Sequence, residues 1–346
     1  MAEGSLQAAI TYPIETPPAP GTSLEVAPGV RWVRMPLPFP PDHINLWLLA
    51  DGEAWTIVDA GLFREEAQAY WESVFKSDLD GKPVMRVVVT HFHPDHIGLA
   101  DWLCRRWDAP LWMTAAEWYM ARAIHGSGGQ ADIDSRISFY RANGASDELL
   151  GEAQKPNSFY RRGVPEVPPV FHRLRGGEAI RIGGRDWLPI IGRGHAPEHA
   201  CLHAREIATL IGGDILLPRI SPNVSVWPPE PLANPLRDYL ESLDNFRDVP
   251  PDTLILPAHG LPYRGLHARV AELKQHHAER LERLAQAIKE KPLSAVDCFP
   301  LLFRRPIGPN NIGLATGEAL AHLHYLEAGG RARRERDAHG VWRFAD

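Results

Sequence analysis

Residues Thr90-His91-Phe92-His93-Pro94-Asp95-His96-Ile97-Gly98 constrain this chain more than any other stretch, because three imidazoles and a carboxylate fall within six consecutive positions. They follow Val84-Met85-Arg86-Val87-Val88-Val89, whose β-branched residues read as a buried strand, and Gly98–Trp107 after them reads as a helix. The cluster therefore sits at a strand-to-helix junction, where loop side chains project from a rigid scaffold. Alternating His91 and His93 turn to one side of an extended segment and leave Asp95 and His96 for a neighbouring position. Neutral imidazole beside a carboxylate suits zinc, iron or manganese. The competing reading is a polar loop that is His-rich by chance, and with sixteen histidines in 346 residues three in one such window is a rare coincidence.

The same kind of junction recurs downstream. Strand-like runs at Glu178–Ile182 and Trp187–Ile191 lead into Gly192-Arg193-Gly194-His195-Ala196-Pro197-Glu198-His199. Ile207–Ile211 ends in Gly212-Gly213-Asp214, and Thr253–Leu256 ends in Pro257-Ala258-His259-Gly260. In each case an apolar strand delivers His or Asp beside glycine or proline, and a strand end holds a ligand rigidly while glycine lets backbone approach closely. Seven candidate ligands result: His91, His93, Asp95, His96, His195, Asp214 and His259. That set exceeds one tetrahedral zinc and suits two cations sharing a bridging group.

The four motifs in this order resemble the metallo-β-lactamase-fold hydrolase superfamily, in particular its dinuclear branch that includes glyoxalase II, over about residues 30–265. The resemblance implies that His91, His93 and His195 hold one metal, that Asp95, His96 and His259 hold the other, and that Asp214 bridges them. It also implies a four-layer αββα sandwich with the metals at one edge. Two divalent ions are expected, zinc first, with iron or manganese accepted by the same donors. Two such cations about 3.5–4 Å apart acidify a bridging water, so that hydroxide is available near neutral pH. Asp95 and Asp214 are the expected catalytic carboxylates, orienting that nucleophile.

Around these motifs the chain reads as an α+β domain with additions. Residues 1–28 are Pro-, Ala- and Thr-rich and read as an irregular arm. Residues 29–265 form the metallo-β-lactamase-like domain, opening on short strands at Val30–Met35, Ile44–Ala50 and Ala54–Asp59, then a helix from Arg64 to about Lys76. Asp59, at a strand end, is read as orienting a neighbouring loop. A helical insert over about residues 117–170 carries pieces at Glu117–Ile124, Asp132–Asn143 and Asp147–Ala153. Its Phe139, Tyr140, Phe159 and Tyr160 either face substrate or pack the insert down. His199 reads as a supporting or packing residue and Cys201 as a buried structural thiol, while Arg219, Asn223 and Ser225 are candidate substrate contacts or members of a solvated loop.

Residues 266–346 form a small, mostly helical module. Val270, Leu273, His277, Leu281, Leu284 and Ile288 recur at helical spacing up to Pro292, a second helix spans about Leu314–Leu326, and Arg331–Phe344 reads as a hairpin. Helices followed by a basic hairpin resemble a winged helix, which keeps a nuclease or phosphodiesterase reading open through Arg331, Arg333, Arg334 and Arg336. The net charge of −6 weighs against nucleic acid as a partner. A hydrophobic content of 44% and a charged content of 23% describe an ordinary folded chain. Three widely spaced cysteines argue against a disulfide framework, and no apolar run is long enough to span a bilayer, so a cytoplasmic location without membrane association is expected. The leading expectation is a hydrolase of a small-molecule ester, thioester, lactone or lactam. A non-hydrolytic metal-binding or di-iron redox protein is the remaining alternative.

Overall fold

A computed structural model describes residues 10–151, 155 and 158–346. The first half supplies β1 (Ser23–Ala27), β2 (Val30–Pro36), β3 (His43–Asp51), β4 (Ala54–Val58), α1 (Glu65–Asp78), β5 (Val84–Val88), α2 (Pro94–Ile97), α3 (Ala100–Trp107) and β6 (Leu111–Met113). Three helices follow, α4 (Ala115–Gly126), α5 (Gln130–Ala142) and α6 (Ser158–Gly163), before β7 (His172–Arg173) rejoins the first sheet. The second sheet uses β8 (Ile180–Ile182), β9 (Arg185–Gly192), β10 (His199–Ala204), β11 (Thr209–Gly213) and β12 (Leu254–Pro257), with α7 (Pro235–Ser242) between the last two. Beyond them lie α8 (Leu266–Glu290), α9 (Phe299–Leu302), α10 (Ile312–Ala328) and a hairpin of β13 (Arg333–Arg336) and β14 (Trp342–Ala345).

The period-two alternation of the strands builds four layers. In the first sheet, ordered β1 through β7, Trp32, Trp47, Leu49, Val58 and Val88 point to one face. Their chain neighbours Val33, Leu46, Leu48, Ile57 and Val87 point to the other and pack on α1 and α3 through Trp71, Val74 and Leu103. In the second sheet, ordered β12-β11-β10-β9-β8, Ala200, Leu202, Ile211 and Leu256 meet the inward face of the first sheet. Cys201, Leu210 and Ile255 face outward onto Leu236 of α7, Leu273 and Leu284 of α8 and Leu320 and Leu323 of α10. The architecture is α+β, helix on sheet on sheet on helix. Among the described residues no helix is long and apolar enough to cross a membrane.

The two sheets are fastened to each other along one edge. Ala200 N–H on β10 donates to Thr90 O at 3.0 Å, and Asn45 N–H on β3 donates to Ala258 O at 2.7 Å. This edge collects the C-terminal ends of β4, β5, β9, β11 and β12, and thus every strand end that the sequence marks with His or Asp.

Several elements differ from the sequence reading. Ser23–Ala27, inside the expected irregular arm, is a strand that pairs antiparallel with β2. The expected helix Gly98–Trp107 begins only at Ala100, because Gly98 and Leu99 form the turn that follows α2, where a Cβ on Gly98 would stand 2.4 Å from Gly163 O. In the insert, residues 147–151 form turns, since Gly151 interrupts too short an apolar pattern, and the end of that expected helix lies outside the described residues. β10 was hidden from the sequence reading because its His-Ala-Cys-Leu-His-Ala run is buried at every position and shows no alternation.

Candidate metal centre

His91 and His93 occupy the turn after β5, Asp95 and His96 the first turn of α2, His195 the β9–β10 connection, and Asp214 and His259 the residues after β11 and β12. Their donor atoms form two groups, one of His91, His93, His195 and Asp214, the other of Asp95, His96 and His259, with donors inside each group within 4.8 Å of one another. Asp214 faces both. Its Oδ2 lies 3.2 Å from His195 Nε2 and 3.8 Å from His91 Nε2, while its Oδ1 lies 3.5 Å from His259 Nε2 and 3.7 Å from His96 Nε2. Asp95 Oδ2 closes the second group at 3.5 Å from His259 Nε2 and 3.8 Å from His96 Nε2.

The far nitrogens of these rings are already engaged. His195 Nδ1 donates to Asn223 O at 2.7 Å, and His259 Nδ1 donates to His43 O at 2.6 Å. His96 Nδ1 meets Asp59 Oδ2 at 2.8 Å, and His91 Nδ1 meets Thr90 Oγ1 at 3.1 Å. Each contact leaves Nε2 turned inward as a lone-pair donor, the arrangement by which supporting groups fix the tautomer of a metal ligand. Two inward atoms, His96 Nε2 and Asp214 Oδ1, are buried without a hydrogen-bond partner. A buried ring nitrogen and a buried carboxylate oxygen that face each other at 3.7 Å without a hydrogen bond are costly in a protein interior and are relieved by a shared cation, so this donor set fits two divalent ions.

The electrostatics point the same way. Burial drives His91 well below the ordinary imidazole value, aided by the neighbouring rings, and lowers His93 to about 3. His96 is also buried, yet Asp59, Asp95 and Asp214 outweigh that burial and raise it to about 10. Asp214 is held well below the usual carboxylate range despite burial, because His259, His96 and His195 surround it. The pocket is thus built to hold positive charge.

Asp59 orients rather than ligates: besides His96, it accepts Thr90 N–H at 2.8 Å and the Thr90 hydroxyl at 2.9 Å. The His199 ring lies tilted 4.7 Å from that of His91 and accepts Asp214 N–H at 3.2 Å. That approach requires Gly213, with φ +51 and no room for a Cβ, which would lie 2.3 Å from His199 Nε2. Cys201 is buried, donates to Gly212 O at 3.3 Å, and is pushed well above the usual thiol value by burial, so it is no nucleophile. Glu198 Oε2 accepts the Ala116 N–H at 3.4 Å.

Phe139, Tyr140 and Tyr160 are buried and pack the insert onto the body. Phe159 alone of the four is exposed, with its ring 5.9 Å from Phe39. Arg219 lies over the Tyr12 ring, and Ser225 donates to Asn223 Oδ1 at 2.5 Å. Asn223 serves His195 through its backbone carbonyl, while its amide donates to Glu318 Oε2 of α10 at 3.1 Å. Missed in the sequence were His43, Asn45, Thr90 and Glu117. Asn45, wholly buried, accepts from Trp32 Nε1 at 2.8 Å and donates to Pro257 O and Gly260 O at 2.8 and 3.0 Å, holding the turn that bears His259.

Fold and site together define a metal-centred hydrolase, and comparison with known proteins agrees. Residues 39–259 match the family model of the metallo-beta-lactamase superfamily, and residues 281–346 match that of the metallo-beta-lactamase-like C-terminal domain. The chain belongs to the metallo-β-lactamase superfamily and is a metal-dependent hydrolase of that family. A crystal structure of a beta-lactamase domain protein from Burkholderia ambifaria superposes with a TM-score of 0.87 and 45% identity, covering 99% of this chain and 100% of that one. The probable metallo-hydrolase YqjP of Bacillus subtilis (strain 168) is 26% identical over 310 residues, 86% of this chain and 91% of that protein. The acyl-coenzyme A thioesterase MBLAC2 of Gallus gallus is 24% identical over 193 residues, 54% of this chain and 63% of that protein.

Proposed function

We propose that this chain is a dinuclear hydrolase of a small-molecule ester, thioester, lactone or lactam, with zinc as the first metal to test. The observation that carries the reading is Asp214, whose two oxygens face two separate donor groups. His91, His93 and His195 would hold one ion, Asp95, His96 and His259 the other, with Asp214 shared. Two cations there supply an acidified water and a Lewis acid for the substrate oxygen. The chain's own contribution is preorganisation. Asp95 and Asp214 would orient the nucleophile and receive its proton, while Asp59, the His43 carbonyl and the Asn223 carbonyl keep the imidazoles aimed.

The thioesterase among the relatives supports a carbonyl substrate. Against the phosphodiester alternative, several basic side chains of the C-terminal hairpin are paired: Arg331 with Glu282, Arg334 with Glu327, and Arg343 with Asp297 and Asp337. Nucleic-acid contact would have to break those pairs. Free Cys104, Cys201 and Cys298 support a reducing, cytoplasmic setting.

Metal analysis of the chain purified without added metal is expected to give two ions per chain. Thioesters, esters, lactones, β-lactams and phosphodiesters should then be assayed, with His93→Ala as the blank. One ion or none would overturn the dinuclear reading, and cleavage confined to phosphodiesters would overturn the carbonyl one.

A further inference from the structure

Phe92 stands between His91 and His93, and its peptide is gripped on both sides. Its N–H donates to Glu117 Oε2 at 3.0 Å, and its carbonyl accepts from the Tyr160 hydroxyl at 2.8 Å. The other oxygen of Glu117 accepts the Glu198 N–H at 2.6 Å. Glu198 shares the β9–β10 connection with His195. One fully buried carboxyl, carried on the first turn of α4, therefore ties the turn after β5 to the turn after β9.

Burying a carboxyl is unfavourable, and an apolar side chain at the same place would pack without that cost. What the carboxyl adds is two directed bonds to backbone donors from separate loops, each stronger than a neutral pair when it is ionised. The other donor group is supported differently. His96 is held by Asp59, and the turn of His259 is held by His43, by Asn45 and by Arg34, whose guanidinium donates to Gly260 O. The Asp95–His96–His259 half thus has supports that Glu117 does not share, although Asp59 also reaches His91 through the Thr90 hydroxyl.

We infer that Glu117, with Tyr160, is a positioning clasp for the His91–His93–His195 half of the centre and leaves the Asp95–His96–His259 half to Asp59, His43 and Asn45. The inference rests on the two-cation reading of the site. Ionised or neutral, a carboxyl offers an acceptor oxygen at each arm. An amide offers one, and sets an N–H₂ against the other backbone donor. Glu117→Gln therefore keeps shape and volume while releasing one loop.

The test is zinc binding to the full chain, measured by competition with a chromophoric chelator. The wild type is expected to bind two zinc ions. Glu117→Gln should weaken one of them by about 10- to 100-fold, the range seen when groups supporting a metal ligand are removed, and leave the other unchanged. Tyr160→Phe should weaken the same ion by a smaller factor. In a His259→Ala background, which disables the other half, Glu117→Gln should weaken the single remaining ion. Unchanged binding in Glu117→Gln, or equal weakening of both ions, overturns the clasp. If Glu117→Gln does not fold, Tyr160→Phe decides, and wild-type affinities there overturn the inference. A wild type that binds a single ion overturns the dinuclear reading instead, and the clasp then stands or falls on whether Glu117→Gln weakens that ion.

Discussion

Two sets of buried histidines among the described residues invite comparison, and one of them has the converging carboxylates that could hold cations. In the candidate centre, His91, His96, His195 and His259 converge on Asp95 and Asp214 with their outer nitrogens engaged. In the C-terminal part, His277 of α8 and His322 of α10 face each other, Nδ1 to Nε2, at 3.1 Å. His322 Nδ1 donates to Glu318 O at 2.8 Å, so His277 is the donor between the two rings. Burial, with the neighbouring ring added, lowers His277 to about 2, and burial lowers His322 to about 3. Burial also acts to lower His96, yet Asp59, Asp95 and Asp214 carry it to about 10. Imidazoles gathered in an interior thus become a cation site where carboxylates converge, and a neutral hydrogen-bonded pair where they do not.

The largest test of that contrast is Asp214→Asn. It removes the charge shared by both donor groups, so hydrolysis should fall by more than the roughly 100-fold limit for residues that merely support ligands, and metal analysis should show fewer than two ions. Retention of both ions would erase the distinction drawn between the two histidine sets. A smaller effect is expected at the other set. His322→Leu leaves the buried His277 Nδ1–H without its acceptor and should cost roughly 1–3 kcal/mol in urea unfolding at pH 7, with activity retained in the folded protein. Both rings titrate lower in the folded chain than in the unfolded one. The unfolded chain therefore binds more protons as pH falls, and the pair's contribution to stability is full above about pH 6.5 and is lost progressively toward pH 3 and 2. Replacing both rings with leucine should flatten that part of the stability–pH curve, and an unchanged acid slope would refute the assignment. The smallest effect belongs to Arg219→Ala. Exposed over Tyr12, it should shift stability by no more than about 0.5 kcal/mol and leave kcat/KM unaltered; a large rise in KM would return it to the substrate contacts.

The donors of the centre were legible because each is a residue type in a local context. His91 through His96 announce themselves within one turn, and His195, Asp214 and His259 each follow an apolar run beside glycine or proline. Their supports were hidden for a different reason. The carbonyls of Asn223 and His43 and the N–H groups of Phe92 and Glu198 are backbone atoms, which carry no residue signature. Glu117 and Asn45 look like ordinary helix-start and strand residues, and burial alone turns them into clamps. Tyr160 was singled out as an aromatic, but only packing against Phe92 shows that its hydroxyl, not its ring face, has the task.

By itself the sequence determined the chemistry of the donors, the alternation that sorts strand residues onto two faces, and the strand ends from which ligands project, because these depend on neighbours a few residues away. Which donors face one another was decided by tertiary structure. Asp95 and His259 come within 3.5 Å only because two sheets pack face to face and are fastened at one edge through Thr90 and Ala258. No local rule sets that distance, which is fixed by the volume of the side chains between the sheets.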